Sequence, residues 1–106
     1  MDTQRTGKEV ILIIEKYSQE LNRVISLSGV YIFGSYSKDN FNEFSDIDVL
    51  VVSPDFMDDP VEDMQLLMKY RRNIDRRIEP HPVTPEEFAK GNPFLDQIKK
   101  NLIQVA

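Results

Sequence analysis

Two carboxylates two positions apart, Asp46 and Asp48, begin ten residues after the dipeptide Gly34-Ser35, and a third acid, Glu79, lies further on in an extended stretch. Residues two apart in an extended chain point to one face, which sets Asp46 and Asp48 side by side with Cα atoms about 6–7 Å apart. Carboxylates this close repel, and at least one pKa rises unless a cation sits among them. Mg2+ suits such a group best, because it prefers hard oxygen ligands and is commonly held by one or two carboxylates together with phosphate oxygens.

Gly34 lets a backbone approach a phosphate without a Cβ in the way, and Ser35 offers an N–H and a hydroxyl at the start of the following turn. With metal ions about 3.5–4 Å apart, such a site would activate an attacking oxygen and stabilise a leaving pyrophosphate. The third carboxylate would act on the incoming hydroxyl, as metal ligand or as base. Taken alone, alternating acids mark a solvent-facing strand as often as a site, and Gly-Ser is usually a plain turn. Their joint occurrence at this spacing is what argues for a site. His81 shares the face of Glu79 by the period of two, but it is expected to be a packed or exposed histidine outside the metal set.

These residues need elements to position them. Thr6 to Glu9 reads as a capping box before a helix whose Val10, Ile14, Tyr17, Leu21 and Val24 form one apolar stripe, with Gly29 as its stop. Val30 to Phe33 and Ile47 to Val52 read as strands, and between them lies a polar stretch with room for one helical turn and a loop. Asp59-Pro60 opens a second helix, expected to run to about Asp75. Arg77 to Val83 is extended, and Pro80 and Pro82 make it short or an edge strand. Thr84 to Glu87 is another capping box, and Asn92-Pro93 starts a last helix with Phe94, Leu95, Ile98, Leu102 and Val105 on one side.

The first two strands are joined by too short a link for a parallel crossover and are expected to be antiparallel. The third returns parallel to the second by a right-handed crossover through the intervening helix. Gly34, Ser35, Asp46, Asp48 and Glu79 then meet at one end of the sheet. The fold class expected is α/β (α+β), a small mixed three-stranded sheet packed with helices.

The 106 residues make a single domain, with 41% hydrophobic and 29% charged residues. A net charge of −5 argues against unspecific binding to nucleic acid as the main activity, while leaving room for a compact basic patch. Without cysteine, thiol catalysis, disulfides and thiolate metal sites are excluded. The run Val10 to Ile14 is too short and too charged at its flanks for a signal peptide or membrane span, so a cytoplasmic protein is expected. Arg71, Arg72, Arg76 and Arg77 cluster at a helix end, where cations meet the negative end of the dipole; contact with a triphosphate or a nucleic-acid acceptor is the functional alternative. The apolar side of the last helix is core, or in part a dimer or partner interface.

The stretches Phe33-Gly34-Ser35-Tyr36-Ser37 and Ser45-Asp46-Ile47-Asp48-Val49-Leu50-Val51-Val52 resemble the signature of the minimal nucleotidyltransferases of the DNA polymerase β superfamily. The resemblance implies transfer of a nucleoside monophosphate, AMP foremost, from a nucleoside triphosphate such as ATP to an acceptor hydroxyl. Asp46, Asp48 and Glu79 would then be catalytic and hold Mg2+, with Gly34, Ser35, Lys38 and Ser45 on the nucleotide. It also implies a partner, since many such short proteins look like antitoxins that silence an all-helical HEPN toxin by adding AMP to a tyrosine. The pattern departs from the family in having Glu79 where an aspartate is usual and Asp39 where a glycine is frequent. The alternative is a catalytically weak or inactive module of the same fold that neutralises a partner by contact.

Overall fold

The computed structural model describes residues 2–34, 46–56 and 59–106, with the side chains of 2–6 and 60 left out. The elements run α1 (Asp2–Leu21), β1 (Gly29–Phe33), β2 (Ile47–Val52), α2 (Pro60–Arg71), β3 (Ile78–Val83), α3 (Pro85–Lys90), α4 (Pro93–Ile98), a 3-10 turn (Lys99–Asn101) and β4 (Ile103–Gln104). The sheet order is β3-β2-β1-β4. As expected, β1 and β2 are antiparallel and β2 and β3 parallel. The sheet has four strands rather than three.

The added strand comes from the segment expected to be the end of a helix. Helical spacing fits Phe94, Leu95 and Ile98, but the chain leaves the helix at Ile98 and pairs antiparallel with the free edge of β1, Ile103 opposite Ile32. The Val105 N–H donates to the Val30 carbonyl at 2.8 Å, and the Val30 N–H donates to Ala106 at 3.0 Å. Edge pairing thus takes up backbone groups that a longer helix would have satisfied internally, and a two-residue strand has too few positions to show a period of its own.

Two apolar layers cover the two faces. Ile47, Val49 and Val51 of β2 pack with Val30, Ile32 and Ile78 under Val10, Ile14, Tyr17 and Leu21 of α1 and Leu67 of α2. The Tyr17 hydroxyl donates to the Leu67 carbonyl at 2.7 Å and ties the two helices together. The other face carries Phe33, Leu50, Val52 and Val83 beneath Leu95, with Phe88, Ile98 and Leu102 against them.

Helix boundaries differ from the sequence reading at both ends of α1. The helix starts at Asp2, so the Thr6–Glu9 stretch is internal to it rather than at its start. It ends at Leu21, where the Val24 and Ile25 N–H groups both donate to the Leu21 carbonyl at 2.9 Å, a tightening turn into the β-branched Val24-Ile25 pair. Val24 therefore leaves the stripe and is 48% exposed. At the start of α2, Asp59 accepts from the Val61 and Glu62 N–H groups, and the helix stops at Arg71, ahead of Asp75. The Thr84–Glu87 capping box is present in both directions.

Candidate active site at the end of the sheet

The site grows out of the order of β1, β2 and β3. Asp48 lies opposite Phe33 across the antiparallel pair and beside Glu79 across the parallel pair. By the period of two, Phe33, Asp48, Glu79 and His81 share one face, the face covered further along by Leu95. One ligand atom from each of Asp48, Glu79 and His81 lies within 4.8 Å of the others. Asp48 and His81 are partly buried, with side chains 28% and 35% exposed, and Glu79 is exposed.

β3 can be built from Ile-Glu-Pro-His-Pro-Val because it is an edge strand. The Ile47 N–H donates to the Arg77 carbonyl and the Ser53 N–H to the Val83 carbonyl. The odd-numbered residues of β3 therefore turn their backbone groups to β2, and Pro80 and Pro82 fall where the missing N–H would face outward. Glu79 and His81 each precede a proline, which confines both to extended backbone.

Gly34 follows directly, at φ 76. A Cβ there would run into the Asp48 carboxylate, so glycine is required both by the backbone conformation and by the approach of the acid. Burial pushes the Asp48 carboxyl above the ordinary carboxylate range; His81 opposes that rise and the charge of Asp46 adds to it. His81 Nε2 stands 3.7 Å from Asp48 Oδ1, an electrostatic contact too long for a hydrogen bond. Buried as an atom, that nitrogen has no hydrogen-bond partner among the described residues.

The expected site residues thus divide. Asp48, Glu79 and Gly34 come together at one end of the sheet. Asp46 is exposed just ahead of β2 and is felt at Asp48 through its charge. Ser35, Lys38 and Ser45, with the stretch from 35 to 45 between the first two strands, lie outside the described residues. His81 joins the cluster although sequence reasoning left it out; the signal was available in its shared face with Glu79, but only the register shows that Asp48 is its neighbour. Of the four arginines near the end of α2, two have structural bonds: Arg71 donates to the carbonyls of Arg76 and Ile78, and Arg77 pairs with Asp75 at 2.9 Å.

Two carboxylates and an unpartnered imidazole nitrogen, one acid raised by burial, form a donor set that fits a divalent cation. The glycine at φ 76 lies directly beside it, against the Asp48 carboxylate.

A four-stranded mixed sheet with helices on both faces and this cluster at one end defines an α/β domain of the nucleotidyltransferase type. Residues 11–104 match the nucleotidyltransferase domain family, and the chain belongs to that family. Family membership implies a nucleoside triphosphate substrate and a divalent metal. The fold is similar to that of a candidate nucleotidyltransferase from Sulfolobus solfataricus, with TM-score 0.71 and 20% identity over 98% of this chain and 86% of that one. It is also similar to a chain of a toxin–antitoxin complex with AMP-PNP (TM-score 0.58, 25% identity, 87% and 72% coverage). A third similar fold comes from a complex of a tri-AMPylated Shewanella oneidensis HEPN toxin with an MNT antitoxin (TM-score 0.52, 20% identity, 98% and 71% coverage). No curated protein matches the chain in sequence. No helix among the described residues is long and apolar enough to cross a membrane.

Proposed function

We propose that the chain is a Mg2+-dependent nucleotidyltransferase that moves AMP from ATP to a hydroxyl of a partner protein, the toxin of a toxin–antitoxin pair. The observation that carries this reading is the meeting of Asp48 and Glu79 beside Gly34. Similarity to chains from toxin–antitoxin complexes, one of which holds an AMPylated toxin, supports the choice of partner and nucleotide.

Asp46, Asp48 and Glu79 would hold the cation, which when bound neutralises the carboxylates and draws charge from the triphosphate oxygens. Gly34, Ser35, Lys38 and Ser45 are assigned to the nucleotide by the sequence signature. Glu79, exposed at the rim, is placed to take the proton of an incoming hydroxyl or to bind the cation.

The test is to incubate the chain with Mg2+, α-labelled ATP and a co-expressed partner, beside Asp46→Asn and Asp48→Asn. Label on the partner that disappears in both variants supports the reading. Partner binding that survives both substitutions with no label under any condition would sink it in favour of neutralisation by contact.

A further inference from the structure

His81 is held in a way that packing alone does not explain. Phe33 meets its ring edge-on at 5.1 Å between centroids, and Phe94 lies tilted at 5.8 Å. The backbone beneath it is stiff, with prolines on both sides and an extended conformation imposed on the residue itself. A histidine that served only as an aromatic filler would turn its nitrogens to water or to a hydrogen-bonding group. Instead the buried Nε2 faces Asp48 Oδ1 at 3.7 Å, beyond hydrogen-bond length, and has no hydrogen-bond partner among the described residues. That separation suits two ligands of one ion, because metal–ligand bonds of about 2.0–2.2 Å put neighbouring ligand atoms roughly 3–4 Å apart.

We propose that His81 is a direct nitrogen ligand of the cation held by Asp48 and Glu79, so that the imidazole strengthens the binding of transition ions such as Co2+ more than the binding of Mg2+. The inference rests on the reading of this cluster as the metal site and deepens it by adding a ligand. Mg2+ uses the two carboxylates and gains little from the nitrogen, whereas first-row transition ions take imidazole readily. The stiff backbone and the two rings hold the nitrogen in place before the ion arrives, which lowers the ordering cost of binding.

The full chain is titrated with CoCl2 and, separately, MgCl2, by calorimetry and by the visible absorption of bound Co2+. Wild type is compared with His81→Gln, His81→Phe and Asp48→Asn, each checked for folding by circular dichroism. His81→Phe keeps a ring between Phe33 and Phe94 but removes the donor. The expected result is a fall of roughly tenfold or more in Co2+ affinity and an altered Co2+ spectrum in both His81 variants, with Mg2+ affinity changed less than about twofold. A wild-type ratio of Co2+ to Mg2+ affinity in His81→Phe, or an equal loss for both ions, overturns the role of His81. If Asp48→Asn alone abolishes binding, the metal site stands without His81; if wild type binds neither ion, the reading of the cluster as a metal site falls as well.

Discussion

The two faces of β2 are built from alternate residues of one six-residue strand, yet they have opposite physical characters. Ile47, Val49 and Val51 are sealed under α1 and α2. On the other face, Leu50 and Val52 are covered by Leu95, but Asp48 is left partly open beside Glu79 and His81. Leu95 of α4 covers the far part of that face, and Phe94 reaches Phe33 and His81 at the edge of the cluster. The difference teaches that stability and chemistry are divided by face and by position along a single strand, so substitutions on each should separate the two properties.

The sharpest division is expected at Asp48. Asp48→Asn should lower label transfer about a hundredfold or more, as for loss of a central electrostatic group. Its stability should be unchanged or increased near neutral pH. The folded-state pKa of Asp48 is raised by burial, so the native state binds the proton more tightly, and stability present below the unfolded value is lost as pH climbs from there through the higher folded value; the amide removes that cost. A marked drop in melting temperature for Asp48→Asn would break the comparison.

On the sealed face the reverse is expected. Ile14 is fully buried in α1, and Ile14→Ala should cost about 2–5 kcal/mol in denaturant titration while transfer per folded molecule stays near wild type. A smaller combined effect is expected where the backbone meets the acid. Gly34→Ala puts an L-residue at φ 76 and a Cβ against Asp48, at a cost of about 1–2 kcal/mol, with activity reduced because the carboxylate must move. Full activity in that variant, measured by the same label assay, would show that the approach of Gly34 to Asp48 is dispensable.

The smallest effect concerns a second aspartate, one with the opposite sign. Asp75 accepts hydrogen bonds from the Arg77 backbone and guanidinium, which hold its carboxyl below the ordinary range. Its contribution is present above the unfolded pKa of about 3.9 and is lost as pH falls through the lower folded value. Asp75→Asn should therefore cost about 1 kcal/mol at pH 7 and flatten the acid limb of the stability curve below about pH 4, read from urea midpoints at several pH values.

Local patterns made much of this molecule legible. The stripe Val10, Ile14, Tyr17 and Leu21, the aliphatic run Ile47–Val52, the Asp59 cap and the Thr84–Glu87 box all act over a few residues, and they formed where the sequence placed them. Link lengths were enough for strand directions, because a short connection cannot make a parallel crossover and a full helix can. The limits of α1 were less legible, since a capping pattern at Thr6 can also occur inside a helix.

At the site itself, the sequence alone placed Gly34, Asp48 and Glu79 at one end of the sheet, through period-two alternation and strand direction. Only the tertiary structure decided that β4 closes the free edge of β1, and that His81 stands with Asp48 rather than merely on the face of Glu79. Both depend on which residues lie side by side across strands, and that register is chosen by the packing of whole faces rather than by any property of a single segment.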